Sequence, residues 1–381
     1  MDPAITLLRD LVAINSVNPT LVPGAPGERA IGERVAEEMR SIGLDVERQD
    51  VADGRPNVIG VLEGRARRPT LMFCGHLDTV GVAGMADPFT PVERDGRLYA
   101  RGTQDMKGGL AAMISAARVL ARDPRSSARL IVAAVADEEH SSIGAEALVA
   151  RWTADAAVIT EPTDLDVMVG HKGFAWVDVD VFGTAAHGSR PMDGVDAILR
   201  MGRVLQALER LDGDLQSRPP HPMLGTGSLH ASIIQGGQEL SSYPDRAHLE
   251  MERRTLPGDP LSLPLEEVQT ILGRLERDDP SFRASARLTF ARAAYELGSD
   301  HPLAQTLSAI LGRRGRGGRL GGASFWTDAA VLGHAGIPSV LFGPGGAGLH
   351  SPDEYVKIDE VLACRDALVD LARSDAWLKP R

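Results

Sequence analysis

Short runs of uninterrupted apolar residues constrain this chain more than any other feature of it. Leu71-Met72-Phe73-Cys74, Leu130-Ile131-Val132-Ala133-Ala134-Val135 and Ala156-Ala157-Val158-Ile159 offer no polar face to water. Such runs suit strands buried on both faces, as in a largely parallel sheet covered by helices. Asn57-Val58-Ile59-Gly60-Val61 reads as a further strand. Helical patterns separate them. Leu7, Leu8, Leu11, Val12 and Ile14 recur at helical spacing, residues Ile31 to Ile42 repeat the signal, and Gly108 to Leu120 is an alanine-rich helix ending before Asp123.

From Phe174 to about Ala293 the pattern changes. Trp176-Val177-Asp178-Val179-Asp180-Val181 alternates, a helix follows from Val195 to Leu211, and strands are expected at Ser228 to Ile234, Ala247 to Glu252 and Ala286 to Phe290, with a helix at Leu265 to Arg277. Alternation buries one strand face and wets the other, so this part predicts an antiparallel sheet with helices on one side. The earlier style then returns: helices at Pro302 to Leu311 and around Asp328 to Leu332, the strand Pro338 to Phe342, and a helix from Glu360 to Leu371. The expected class is α/β with a mostly parallel sheet flanked by helices and an inserted α+β domain. Residues 1–173 and 294–381 form the two parts of the first domain and 174–293 the insertion. A length of 381 residues suits more than one core.

Composition narrows the partners. With 41 basic and 52 acidic side chains the net charge is −11, which argues against nucleic acid. The basic stretch Arg313-Arg314-Gly315-Arg316-Gly317-Gly318-Arg319 is short and reads as a solvated loop. Cys74 and Cys364 are the only cysteines, so no disulfide framework is expected and a reducing compartment fits. The chain opens without a basic-then-apolar leader and has no run of about 18 apolar residues. A cytoplasmic location with no membrane partner is the expectation.

The chemistry gathers at strand ends. Gly75-His76-Leu77-Asp78-Thr79 follows one apolar run, Asp137-Glu138-Glu139 another, and Thr160-Glu161-Pro162 a third, while His350 follows a glycine loop after Pro338 to Phe342. In open α/β sheets, ligands bind beyond the carboxyl ends of strands. Asp105 joins from Gly102-Thr103-Gln104-Asp105-Met106-Lys107-Gly108-Gly109. A phosphate-cradling reading of that glycine run fails because it lacks the Gly-Lys-Ser/Thr ending. His76, Asp105, one of the adjacent Glu138 and Glu139, Glu161 and His350 supply imidazoles and carboxylates without thiolates, a donor set for zinc, cobalt or manganese. A bridging carboxylate allows two metals about 3.5–4 Å apart to share and acidify a water. The glutamate that does not bind metal is then placed to take the proton.

These stretches, with Val80 and Asp353-Glu354-Tyr355-Val356, resemble the co-catalytic zinc metallopeptidase and deacylase family of acetylornithine deacetylase, succinyl-diaminopimelate desuccinylase, aminoacylase and glutamate carboxypeptidase. The resemblance spans nearly the whole chain. It implies a zinc-exopeptidase-like catalytic domain and a ferredoxin-like insertion serving as lid and dimerisation domain. His76 and Glu161 then hold one metal, Glu139 and His350 the other, and Asp105 bridges. Asp78 supports His76 and Glu138 is the base. Gly183-Thr184-Ala185-Ala186-His187-Gly188-Ser189 is similar to the segment whose histidine reaches a neighbouring active site to stabilise the oxyanion, which assigns that role to His187. Arg254, in Glu252-Arg253-Arg254-Thr255, is similar to the arginine that grips the substrate carboxylate. Two departures stand out: Ser241 and Ser242 replace a family asparagine, and Trp326 is bulkier than the family's small residues.

The implied activity is attack of a metal-bridging water on the amide of an N-acyl amino acid, with two divalent ions, zinc first and cobalt or manganese next. The substrate is a small N-acyl amino acid or short peptide, and the enzyme a homodimer. A metallo-carboxypeptidase, a dipeptidase or an N-carbamoyl amino acid hydrolase on the same scaffold is the alternative. A non-enzymatic binding protein is a different class, but such relatives lose the base or a ligand, and all are present here.

Overall fold

The computed structural model describes residues 1–64, 69–82, 84–123 and 129–378. The chain divides into two compact units, one formed by Met1–Gly170, Leu297–Gly321 and Thr327–Arg381, the other by His171–Glu296 and Gly322–Trp326.

The apolar runs become the centre of the first unit's sheet. Arg129–Val135, Thr70–His76, Ala156–Ile159 and Ser339–Leu341 lie side by side and parallel. Every side chain from Leu71 to Cys74 is wholly buried, as is each from Ile131 to Val135. Arg55–Leu62 runs antiparallel beside Arg129–Val135, and Asp45–Ala52 antiparallel outside it. The helix Pro3–Val12 begins where the Asp2 side chain accepts a hydrogen bond from the Ala4 N–H. Gly108–Ala121 is buried on nearly every side and packs against both Pro3–Val12 and Ile358–Arg373. Among the described residues no helix is long and apolar enough to cross a membrane.

Two sets of strands carry no apolar run, and the sequence pattern does not announce them. Asp45–Ala52 reads Asp-Val-Glu-Arg-Gln-Asp-Val-Ala and sits at the sheet edge, half-buried or exposed along its length. The short strands Val92–Arg94 and Arg97–Tyr99 pair with each other, and the latter with Tyr355–Lys357, which in turn pairs with Gly346–Ala347. Those last two strands hold the turn that carries His350. The arginine-glycine stretch is charge-paired: Arg314 meets Asp370, Arg316 meets Asp359 and Arg319 meets Asp166.

The second unit is a four-stranded antiparallel sheet in the order Ser228–Gly236, Arg246–Thr255, Gly173–Phe182, Arg283–Arg292. The helix Ala197–Ser217 joins Gly173–Phe182 to Ser228–Gly236 in sequence, and Leu263–Asp278 joins Arg246–Thr255 to Arg283–Arg292, the ferredoxin-like arrangement. Val177, Val179 and Val181 face the helices with Leu249, Met251, Met201, Val204 and Val268, all essentially buried. The edge strand Ser228–Gly236 stays exposed along most of its length.

Candidate metal centre

Parallel pairing decides where the ligands fall. His76 ends its strand opposite Val135, and Cys74 lies opposite Ile159. Asp137-Glu138-Glu139 and Glu161 therefore leave the sheet at the same edge, on either side of His76. The His76 ring points Nδ1 at the main-chain oxygen of Asp78, 2.9 Å away, whereas the Asp78 carboxylate is 3.6 Å away. The backbone of Asp78, rather than its carboxylate, thus takes the closer contact. Nε2 is left facing Asp105 Oδ1 at 3.1 Å, Glu161 Oε1 at 3.9 Å and Glu138 Oε2 at 4.0 Å. His350 Nε2 lies 3.3 Å from the other Asp105 oxygen, Oδ2, and 3.4 Å from Glu139 Oε2. One carboxylate therefore spans two histidines.

The Asp78 carboxylate has a second task. Its oxygens accept the main-chain N–H groups of Glu138 at 3.1 Å and Glu139 at 3.2 Å, and the Asn18 side-chain amide at 2.7 Å. This locks the turn that opens at Asp137, whose φ is 68°. Asn18 also donates to Asp137, which pairs with Arg55 at 2.7 Å, and Arg55 pairs with the buried Glu28 at 2.6 Å. No local sequence pattern marks Asn18, Glu28 or Arg55.

Asp105 lies in the turn Thr103–Lys107, entered through Gly102 at φ 79°, where an added Cβ would meet Thr79 at 2.7 Å. The buried Glu354 carboxylate ties this turn down. One oxygen accepts the N–H groups of Gln104 at 2.9 Å and Asp105 at 3.2 Å, the other those of Gly102 at 3.0 Å and the Arg101 guanidinium at 2.5 Å. In the sequence Glu354 is legible only as part of a motif, without a task.

Electrostatically the cluster is overloaded with carboxylates. Burial, reinforced by the charge of Asp105, pushes Glu139 up to about 7. Burial and neighbouring carboxylates, Glu161 the first of them, raise Glu138 well above the usual range, and burial chiefly raises Glu161. Burial opposes ionisation of His76, but its contacts with Asp105 and Asp78 prevail and hold it well above its ordinary value. Contacts with Asp105 and Glu139 lift His350 to about 10. The site favours cations at both imidazoles.

A metal fits this donor set. Among the described residues Glu139 Oε1 and Glu161 Oε1 are buried without a hydrogen-bond partner, a costly arrangement that coordination relieves. His76, Asp105 and Glu139 bring one donor atom each within 4.8 Å of one another, as do His76, Glu138 and Glu161. Imidazole and carboxylate donors without thiolate belong to a catalytic rather than a structural zinc-type site.

The remaining candidates belong to the second unit. His187 is exposed, with Nδ1 2.8 Å from the Ser189 hydroxyl. Arg254 donates to Glu252 Oε1 at 2.6 Å and lies over the Phe174 ring at 5.3 Å. The Trp326 indole donates to the Ala293 carbonyl at 3.0 Å, and Ser242 donates to Glu239 at 2.6 Å.

The sequence model of peptidase family M20/M25/M40 matches residues 72–374. Acetylornithine deacetylase of Myxococcus xanthus is 32% identical over 346 residues, covering 87% of this chain and 88% of that protein. Acetylornithine deacetylase of Photorhabdus laumondii is 30% identical over 394 residues, with 97% of each covered. Among solved structures, aminopeptidase PepT of Bacillus cereus aligns with a TM-score of 0.80 at 19% identity, covering 97% of both chains. The YXEP protein of Bacillus subtilis, described as a dinuclear metal-binding peptidase, aligns with a TM-score of 0.73 at 16% identity, covering 97% of this chain and 96% of that one.

Proposed function

We propose, from the premise that the chain belongs to peptidase family M20/M25/M40 and is a hydrolase of amide bonds, that it deacylates N-acyl amino acids with two divalent ions, zinc above all. The single observation that carries the two-metal reading is the split of Asp105, one oxygen toward His76 and the other toward His350. In this reading His76 and Glu161 would hold one ion, Glu139 and His350 the second, and Asp105 would be shared between them. When bound, such ions supply Lewis acidity for the amide carbonyl and acidify water.

The protein's own groups do the rest. Glu138, at the same edge and 4.0 Å from His76, accepts the proton of the attacking water and delivers it to the leaving amine. Asp78 fixes the turn that aims Glu138 and Glu139. His187 stabilises the developing oxyanion, a contribution worth about 2.7–4 kcal/mol for a single donor. Arg254 binds the carboxylate of the amino acid through its planar fork. The second unit also forms a homodimer, supported by the exposed edge strand Ser228–Gly236 and by Ile198 and Leu199, exposed at the start of the neighbouring helix. A cytoplasmic setting is in keeping with two free, buried cysteines.

The test is a parallel assay of N-acetyl amino acids, N-succinyl amino acids, dipeptides and N-carbamoyl amino acids with added zinc, cobalt or manganese. Metal-dependent release of a free amino acid from the N-acyl substrates is expected. Faster cleavage of dipeptides would move the assignment to the peptidase alternative, and faster cleavage of carbamoyl compounds to that of a carbamoyl hydrolase.

A further inference from the structure

The turn that carries both Glu138 and Glu139 is built on Asp137, whose φ of 68° is disfavoured for an L side chain. Such a backbone persists only where its surroundings over-determine it. Here every polar group of Asp137 is engaged. Its N–H donates to Glu28 Oε1 at 3.1 Å, and its carbonyl accepts the Ser142 N–H at 2.6 Å. Its carboxylate accepts the Ser141 hydroxyl at 2.6 Å and the Asn18 amide at 3.0 Å, and it pairs with Arg55 at 2.7 Å.

Arg55 joins the two halves of that scaffold. It opens the strand Arg55–Leu62, and its side chain is buried. Nε and one terminal nitrogen fork onto Glu28 at 2.9 and 2.6 Å, while the other terminal nitrogen reaches Asp137. The Glu28 oxygen that accepts the 2.6 Å bond also accepts the Asp137 N–H. One guanidinium thus sets the Asp137 main chain through Glu28 and its side chain directly. Burial works against the charge, but contact with Glu28 and the charges of Asp137 and Asp78 prevail and hold Arg55 protonated. Lysine has no equivalent: a single ammonium lacks the planar fork that grips two carboxylates at fixed angles.

We propose that Arg55 is a positioning residue for the reaction: through Glu28 and Asp137 it holds the turn that aims Glu138 at the attacking water and Glu139 at the metal. The proposal rests on the two-metal deacylase reading above, but zinc binding reports on it without turnover. Its sign separates it from an effect of charge alone. Removing a buried cation would by Coulomb attraction tighten the binding of zinc, whereas loosening the turn weakens it.

The test compares the intact parent with Arg55→Lys and Arg55→Ala. Zinc affinity is measured by competition with a chelator, stability by the urea midpoint, and kcat and KM on the N-acetyl amino acid that the parent cleaves fastest. Groups bonded directly to metal ligands contribute about 10–100-fold, so one layer further out about tenfold is expected. Zinc affinity and kcat should both fall by that factor in both variants, with KM little changed. Guanidinium at low millimolar concentration should restore both in Arg55→Ala, whereas urea, of the same shape without the charge, should not. Should Arg55→Ala fail to fold, the same comparison on Arg55→Lys decides. Tighter zinc in Arg55→Ala with Arg55→Lys unaltered overturns the proposal, because charge alone then explains the residue. A lower urea midpoint with parental zinc affinity and kcat in the folded protein overturns it too, by making the residue purely structural. If the parent cleaves no N-acyl amino acid but zinc weakens as expected, the deacylase reading fails and the positioning role stands. If the parent is active and neither quantity moves, the deacylase reading stands and the role of Arg55 fails.

Discussion

Glu138 and Glu139 are neighbours in sequence with the same side chain, yet their settings separate them. Glu139 faces His350 and Asp105, whereas Glu138 faces His76 and Glu161, and both are oriented through main-chain bonds to Asp78. In the proposed mechanism proton transfer falls to Glu138. Glu138→Gln should lower kcat by about 10²–10⁴-fold with zinc content unchanged by elemental analysis. Unchanged turnover would remove the role. His76, Glu139 and Glu161 were legible because each follows a buried strand, so sheet order brings them near each other, whereas Asp105 and His350 rest on turns held by Glu354 and by the pairing of Gly346–Ala347 with Tyr355–Lys357. Asn18, Glu28 and Arg55 were not. They reach Asp78 and Asp137 from distant parts of the chain, Asn18 across 60 and 119 positions, and nothing local announces such a partner. The Asp78 carboxylate is instructive in the same way: proximity in sequence pointed it at His76, 3.6 Å from Nδ1, and two N–H groups of the adjoining turn bind it as well.

At the scale of elements, the close approach of Gly109 to the end of a neighbouring strand matters most. A Cβ there would lie 2.0 Å from the Thr160 carbonyl oxygen, backbone that cannot swing aside. Glycine thus lets the helix Gly108–Ala121 sit against the strand end that carries Glu161, while the same helix begins directly after the Asp105 turn. Gly109→Ala should overpack this junction and lower stability by about 1–3 kcal/mol, visible as a lower urea midpoint. A midpoint equal to the parent's would show that the junction is looser than described. The buried strands of the sheet were readable because continuous apolar runs fit only a doubly covered strand. Asp45–Ala52 and the Val92–Tyr99 hairpin escaped because edge strands wet on one side carry polar residues freely, and register there comes from the neighbour.

For the molecule as a whole, the exposed edge Ser228–Gly236 is the proposed seam of a homodimer. Ile233, 46% exposed on that strand, should tolerate lysine in a monomer but not in a continuous sheet. Light scattering is expected to give a dimer for the parent and a monomer for Ile233→Lys. A monomeric parent would contradict the seam.

The central claim is one paired-cation cage assembled from distant parts of one chain, and metal stoichiometry tests it most directly. Equilibrium dialysis against zinc, with elemental analysis of the retained protein, should give two ions per chain, and no more than one in Asp105→Ala. A parent chain that retains a single ion, or none, at saturating zinc would contradict that claim.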